Sequence, residues 1–583
     1  MGTVPRLYLR PVVDPKGGLL TSSSNARYCA EKSSLPATLS QGIEAPCQPP
    51  GDTMTQFRTI LGLAILLFAA PTFATTRYIA QTAGTFNGGS ACNGQTAITP
   101  AAWNSTSLNP GDTTYICGTL TAGTASGSLL KFSNSGSAGS PITLIFDSGA
   151  VITAPSWSAG AIELNGQNFI TIDGGTNGII QATSNGTNLA NQTDGGGCVH
   201  SGNNVSNVTV QNLTCSNIYV RTSTTDTSTG SNFCIQFWTG SNDNVENNTC
   251  TNMHWAIVVI FGGNASTSTN IQVFNNTISN MDHGVIFADQ GPNSNLAGSN
   301  CSNAAHDNDF SAMNTWDDTT GGNHYHHDAI HFWTTQAGGY YACIYNNRFH
   351  GNSGAEVSGI FTMEAGATAG SAMFNNIVDM TSAGSCGDGA FAIFNGDAGV
   401  ATNGSGHLIL NNTVLPGSGC NIDFGIAEAS SVTLENNLGL ANGNYVYQAS
   451  PITAIAKADY NSWQAPAGGN PFWCSAGGGV SFSTWKSSCG FDAHGQNASI
   501  TVNSDLTLPS GSAAIGAAAN LTSLGITALD KGAPQTFGAG GSCGTGCVAR
   551  PSSGAWDAGA YASGSTTAGN GPNAPSSLTA LVN

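Results

Sequence analysis

The sequence predicts an all-β chain wound as a right-handed parallel β-helix, and three observations predict it. The first is composition: of 583 residues 40% are hydrophobic, only 8% are charged and 76 are glycine. That apolar content builds a core, whereas a disordered chain carries more charge and less apolar surface. Helical enzymes expose faces rich in Glu, Lys and Arg, which this chain lacks; neutral polar residues with glycine and β-branched residues read as strands and turns. The second is a recurring phrase of an apolar residue, a polar one and an Asn-Asn pair. The third is another phrase that follows each copy of the first: a small residue, then apolar, any, apolar.

Taken from the N-terminus, Met54-Thr55-Gln56-Phe57-Arg58 is a short basic lead, Ile60 to Ala70 is a compact apolar run, and Pro71-Thr72-Phe73-Ala74 ends on a small residue. This is the three-part order of a secretory signal cleaved after Ala74. The run is shorter than the roughly 20 residues of a spanning helix, which argues against a membrane anchor. Residues 1–53 are therefore expected to lie outside the mature protein, 54–74 to be the signal, and the mature protein to be secreted, monomeric and without a membrane partner. From Thr75 onward the chain keeps 8 of its 14 basic and 28 of its 32 acidic residues, a net charge of −20 against −18 for the whole. Phosphate binding needs clustered Lys and Arg, so nucleic acid is not expected as a partner. A strongly anionic polysaccharide would be repelled unless a cation bridged it. Fourteen of the 16 cysteines lie beyond Thr75, and an even count in an exported chain suggests disulfides. The sequence-near candidates are Cys92 with Cys117, Cys474 with Cys489, and Cys543 with Cys547.

Residues 75–148, with the apolar stretch Ile142-Thr143-Leu144-Ile145-Phe146, are expected to form an N-terminal cap and first coils, and 149–465 the β-helix. The Asn phrase appears as Val245-Glu246-Asn247-Asn248, Phe274-Asn275-Asn276, Tyr345-Asn346-Asn347, Phe374-Asn375-Asn376, Leu410-Asn411-Asn412 and Leu434-Glu435-Asn436-Asn437, with weaker copies at Gln211-Asn212-Leu213 and His306-Asp307-Asn308. The second Asn recurs every 25 to 39 residues. Short strands cannot bury an apolar side alone, but coils stacked about 4.8 Å apart pair every backbone edge and share one core. A buried Asn at the same turn of each coil can bond its neighbours above and below. The Leu spacing of a leucine-rich repeat and the Trp-Asp mark of a propeller are absent.

Over Gly149 to Tyr460 the repeat resembles the pectin-lyase-like right-handed β-helix proteins. The resemblance implies that the Asn turn lies between the second and third strands of a coil. The small-apolar phrase is then the first strand, and its outer face is the substrate groove. Alternation turns Ile235, Ile257, Val285, Ile330, Ile360, Phe391 and Ile426 inward, and their successors Gln236, Val258, Ile286, His331, Phe361, Ala392 and Ala427 outward. Two places further on stand Trp238, Ile260, Ala288, Trp333, Met363 and Phe394. Trp238, Trp333, Phe361 and Phe394 would form an aromatic strip, with Trp316 nearby, suited to a neutral glycan or else packed beneath loops as a second small core. Near the end, Asp530-Lys531-Gly532 and Arg550-Pro551 with Trp556-Asp557-Ala558-Gly559-Ala560-Tyr561 resemble the closing segment of secreted bacterial β-helix proteins. A closing region is expected over 466–561, then a linker at 562–583 whose last residues are similar to the start of a fibronectin type III-like module.

Two connections leading into the first strand are long, 22 residues each from Leu213 to Ile235 and from Asn308 to Ile330, against nine after Asn248 or Asn276. Long loops on a rigid scaffold serve binding or chemistry. The second carries Trp316-Asp317-Asp318 and His324-Tyr325-His326-His327-Asp328-Ala329-Ile330-His331, so 4 of 11 histidines fall within eight residues. Histidines gather where protons, metals or sugar hydroxyls are handled, and they also tie polar loops together. His327-Asp328-Ala329-Ile330 resembles the Asn-Thr-Asp-Gly-Ile motif of polygalacturonases, with Asp328 at the catalytic Asp. The family's Asp-Asp, Gly-His-Gly and Arg-Ile-Lys motifs are missing, so its activity does not carry over. Two acid/base arrangements are open. Asp289 and Glu364 would end their strands at equivalent positions about 10 Å apart, near inverting geometry. His283 and Asp328 would stand about 5 Å apart on adjacent coils. The candidate catalytic residues are thus Asp328, His331, His327, His283, Asp289 and Glu364. Lyases of this fold use Arg or Lys as base, often with calcium; no Lys or Arg stands on these outward positions, although Arg221 lies in the first arm. No cofactor is required by the residues, and calcium is the one the resemblance brings. A metal held by His324, His326, His327, Asp328 or His331 is a weaker variant. The expectation is a secreted glycan-degrading enzyme, a hydrolase ahead of a lyase, with a non-catalytic glycan-binding or adhesion protein as the alternative.

Overall fold

A computed structural model describes residues 74–184, 191, 195–218, 232–261, 269–288, 303–313, 327–333, 343–354, 359–364, 372–380, 389–394, 406–415, 422–427, 431–440, 444–448, 454–464, 469–473, 478–503, 506–521 and 550–563. Over these the chain is a right-handed parallel β-helix with one 24-stranded and one 13-stranded sheet. Each repeat gives one strand to the smaller sheet and two, flanking the Asn turn, to the larger. One repeat runs His283–Ala288, Asn303–His306, Asp309–Met313; the next runs Asp328–Trp333, Cys343–Tyr345, Arg348–His350. Among the described residues no helix is long and apolar enough to cross a membrane. The expected signal, 54–74, falls almost wholly outside the described residues.

The Asn-Asn pair divides its work. The first member takes the left-handed backbone conformation, with φ of 57° at Asn247, 55° at Asn275, 58° at Asn346 and 56° at Asn375. Asn and Asp tolerate this region because their short polar side chains bond locally, which is why Asp307 (φ 54°) replaces Asn without breaking the turn. The second member points inward and builds a ladder. Asn276 Nδ2 donates to Val245 O at 2.9 Å and to Asn308 Oδ1 at 3.0 Å, and that oxygen also accepts the Asn276 amide. The pattern repeats through Asn347, Asn376, Asn412 and Asn437 to Asn461, whose side chain donates to Asp492 Oδ1 at 2.8 Å. The Nε1 groups of Trp463 and Trp485 donate to the other Asp492 oxygen, each at 2.9 Å. At the opposite end Leu213 fills the ladder position, and its amide donates to Asn248 Oδ1 at 3.0 Å.

Part of the outer face of the larger sheet, on the coils of Tyr345 to Leu440, is covered. A column of rings, Phe274, His306, Tyr345 and Phe374, stacks at 4.9, 4.5 and 4.8 Å, and Tyr345 and Phe374 pack against Leu508, Ala518 and Trp556 of the closing region. Arg550 Nη2 donates to Gly559 O at 2.6 Å and to Asn375 Oδ1 at 3.4 Å, and Asn411 Nδ2 donates to Gly559 O at 3.2 Å. Gly559 sits at φ 91°, and a Cβ there would come within 2.6 Å of Thr413 Oγ1, so only glycine passes.

At the N-terminal end Thr76–Ile79, Thr113–Ile116 and Ile142–Phe146 already stack in parallel register. The helix Pro100–Asn104, capped by Thr99, buries Trp103 edge-on to Phe132. The disulfide Cys92–Cys117 forms as expected, and Cys198–Cys215 and Cys234–Cys250 join the 13-stranded to the 24-stranded sheet through the interior. Cys489 is disulfide-bonded; its expected partner Cys474, with Cys543 and Cys547, lies outside the described residues. Burial opposes the charge of Asp147. Hydrogen bonds from the Ser90 hydroxyl and the amides of Ala91, Cys92 and Ser148 outweigh burial and bring its pKa down to about 2.

Two expectations follow. Replacing Asn376 by Ala removes the acceptor for the Asn347 amide and side chain and the donor to Ile344 O. We expect a loss of roughly 2–4 kcal/mol, read as a fall in Tm by circular dichroism. Because the Asp147 carboxylate is held below its unfolded value of about 3.9, its contribution is complete above that pH and is lost as pH falls toward about 2. Asp147→Asn should therefore flatten the acid limb of the stability–pH curve between those values while lowering stability at pH 7.

Candidate functional site

Each first strand starts with a kink. Ala256 and Ile257, like Ala329 and Ile330, both belong to the central core, so the chain turns two successive residues inward. At Gly284 the first must be small: a Cβ there would lie 2.3 Å from Ala329 O and 2.6 Å from the Phe310 ring. The residue just before the small one is thereby pushed to the outer face. These residues align as a column, Trp255 beside His283 beside Asp328, and the residue ahead of each, His254, Asp282 and His327, is fully buried.

Three coils thus deliver four imidazoles and two carboxylates to one place. Asp282 lies between histidines of the coils on either side, with His254 Nε2 at 3.1 Å from Oδ2 and His327 Nε2 at 2.9 Å from Oδ1. Its own neighbour, His283, brings Nδ1 to 3.3 Å from Oδ2. Burial works against a charge on Asp282. The charge of His327 and hydrogen bonds from His254, His283 and His327 overcome it and hold the carboxyl well below the usual carboxylate range. The other edge of the His283 ring faces Asp328, with Nε2 3.5 Å from Oδ2, and His331 Nδ1 stands 3.9 Å from the same oxygen. Asp328 Oδ1 accepts the Gly359 amide at 3.3 Å and the Thr362 hydroxyl. The rings of His283 and His331 stack at 5.9 Å, and Trp255 meets His283 edge-on at 5.9 Å. Titratable groups thus stand side by side from His254 through Asp282, His283 and Asp328 to His331, with the last two separations longer than hydrogen bonds.

Of the residues singled out in the sequence, Asp328, His331, His283 and His327 converge here, with His283 and Asp328 in register as expected. His327 faces Asp282, not the outward column, so its place is a supporting one. The strand Gly359–Glu364 corrects the expected register. Ile330 pairs with Phe361 and His331 with Thr362, because Gly359 takes the place of Asp328 and Ile360 that of the small residue. Phe361 is therefore interior, between the rings of Phe310 and Phe391, and Thr362 stands outward in its stead. In the same way Phe424 pairs with Phe391 and Gly425 with Ala392, displacing Ile426 and Ala427 from their expected columns. Glu364 pairs with Phe394 and falls in the column of Trp333 and Ala288, one place from that expected for Asp289, which lies outside the described residues with Trp316.

The aromatic strip is interrupted. Trp238 is 41% exposed and aligned with Ile260, but Phe361 is interior. For Trp333 and Phe394 only the backbone is described. Between Trp238 and the His/Asp cluster the outer face carries a buried apolar group of Phe233, Val258, Ile286 and Ala288 with Trp255 and Ile260 against it. Sequence reading missed His254 and Asp282. Their signal is positional: each is the second residue before Ala256 or Gly284, just as His327 is before Ala329. Earlier along the outward row stand Lys131, Glu163 and His200, with His200 Nδ1 3.1 Å from Glu163 Oε2.

No family model matches the chain, and no curated protein matches it. Solved structures do. A PL6 family alginate lyase, AlyGC, is 14% identical over 70% of this chain and 54% of its own, with a TM-score of 0.41. The GH136 lacto-N-biosidase from Eubacterium ramulus is 11% identical over 67% of each chain, with a TM-score of 0.43. Pectate lyase Pel9A is 15% identical over 84% of this chain and 96% of its own, with a TM-score of 0.39. The chain thus spans about half the length of the alginate lyase it matches.

The cluster makes a stability prediction independent of any reaction. Asp282→Ala removes the carboxylate that three imidazoles face. We expect a cost of about 3–5 kcal/mol, seen as a lower Tm at pH 7 than in a His200→Ala control.

Proposed function

We propose that the protein is a secreted glycan-degrading enzyme, a glycoside hydrolase ahead of a lyase, with its reacting centre at Asp328 and His331 on the outer side of the 13-stranded sheet. The observation that carries this reading is the arrangement of His283, Asp328 and His331, buried yet set on the outward row of a solenoid face. Burying carboxylates and imidazoles costs desolvation energy that close pairing only partly offsets, and such clusters of titratable groups are concentrated at functional sites. Imidazole and carboxyl groups in contact can pass a proton to or from a glycosidic oxygen or a water. The backbone of Glu364 stands on the adjacent strand, two places beyond Thr362. Among the described residues, no Lys or Arg occupies the outward row from Gln236 to Gly425, which favours hydrolysis over elimination by a basic side chain. The net charge of −18 favours a neutral glycan. Exposed Trp238, in the same column as Trp333 and three coils before it, offers a stacking surface about 14 Å away.

The test is a panel of neutral and uronate glycans, read for reducing ends and for absorbance at 235 nm. Wild type should release reducing ends without the absorbance of an unsaturated product, and Asp328→Asn and His331→Ala should each lower kcat/KM at least ~100-fold. Absorbance at 235 nm would replace hydrolysis by a lyase reaction. Binding to a glycan with no cleavage anywhere on the panel would make the groove a binding surface only.

A further inference from the structure

We infer that His283, Asp328 and His331 form a three-ligand site for a divalent transition-metal ion, of the Zn²⁺ or Co²⁺ kind, with an open position toward the groove. One donor atom from each residue lies within 4.8 Å of the others. The separations of 3.5 Å from His283 Nε2 and 3.9 Å from His331 Nδ1 to Asp328 Oδ2 are longer than direct hydrogen bonds. They are close to the spacing of ligands that share one ion: bonds of 2.0–2.1 Å at tetrahedral angles set neighbouring donors about 3.3–3.4 Å apart.

The surroundings fit ligation in two further ways. Asp282 takes the Nδ1 side of His283, which orients the ring with Nε2 toward Asp328. This carboxylate–histidine arrangement is the usual second layer of a metal site, fixing the tautomer and raising the basicity of the ligand nitrogen. Asp328 is steadied in turn by the Gly359 amide and the Thr362 hydroxyl on Oδ1, which turns Oδ2 toward both imidazoles. Two imidazoles and one carboxylate suit Zn²⁺, Co²⁺, Fe²⁺ or Ni²⁺, whereas Ca²⁺ takes six to eight oxygens. The set combines His283 with Asp328 and His331, 45 and 48 residues further on; spacing along the chain did not reveal it because the ligands meet only through stacking. Three protein ligands leave a coordination position for water or substrate, as catalytic sites do. The role of the ion in glycan cleavage rests on the function proposed above; its binding does not.

The test uses the full chain, stripped with a chelator and titrated with Zn²⁺ by calorimetry. The expected result is one ion per chain, at least ~100-fold weaker binding in His283→Ala and His331→Ala, and binding ~10–100-fold weaker in Asp282→Asn. His200→Ala, whose imidazole pairs with Glu163, should bind as wild type does. Failure of the wild type to take up an ion, or unchanged affinity in both His283→Ala and His331→Ala, overturns the proposal. Because these side chains are buried, a second measurement needs no substitution: Co²⁺ bound to wild type should give the intense visible bands of a four- or five-coordinate ion. A spectrum identical to free aqueous Co²⁺ overturns the site. Zn²⁺ uptake at this site with no glycan cleaved leaves the metal site standing and removes the glycan reading. Cleavage by a chain that takes up no Zn²⁺ does the reverse.

Discussion

The amide-to-amide relay of the Asn ladder is the constraint on which the rest of the structure depends. From Asn248 to Asn461 each side chain closes its own coil onto the one before and accepts from it, and the relay ends on Asp492. The geometry works only when successive turns superpose at the strand spacing of about 4.8 Å. Loops of any length can be inserted elsewhere in a coil, but the turn cannot drift. Register fixed there carries round the coil to the 13-stranded sheet, where His254, Asp282 and His327 meet only because three coils are held in step.

The two sheets put that precision to different uses. Along the larger one, apolar columns end in rings that the closing region covers, with Arg550 reaching the carbonyls of Gly559 and Ala560 and the side chain of Asn375. Along the smaller one, the kink at each small residue turns the residue before it to the outer side and gives that side a column that the core does not dictate. Phe233 and Trp255 fill that column with apolar bulk, and His283 and Asp328 then fill it with titratable groups. The change from packing to chemistry occurs within one column over adjacent coils, and Asp282 is the pivot, holding the last of the histidines behind the apolar stretch and the first of the charged cluster.

Much of this was legible in the sequence because the ladder writes itself as Asn-Asn. The positions of Asn248, Asn276, Asn347, Asn376, Asn412 and Asn437 give the coil count and place Asp328, His283 and His331 near one another. Reading failed where a local rule was ambiguous. At Ser358-Gly359-Ile360 glycine looks like the small inward residue, but a strand whose first inward position holds Ile360 shifts every later side chain by one, which sends Phe361 into the core and brings Thr362 out. Asp282 was missed for a different reason. It lies before the strand proper, where strict alternation no longer applies, and its value comes from partners 28 residues before it and 45 after it. The pairing of Cys198 with Cys215 and of Cys234 with Cys250 was likewise hidden, since proximity there follows from the inward kink and not from spacing.

The closing region also bears on the order in which the molecule assembles. Ladder contacts join residues only 24 to 42 apart, so each new coil can settle on its predecessor as soon as it exists. Arg550 and Gly559 meet Asn375 and Asn411 across 175 and 148 residues, on coils that must already be stacked to present those side chains. Progressive winding of local contacts is fast, whereas a clasp of such separation closes late, although the entropy of closing a long loop grows only slowly with its length. The covered flank is thus a checkpoint in time: a coil laid down out of step would leave Gly559 without its fit against Thr413, and the clasp would not seat.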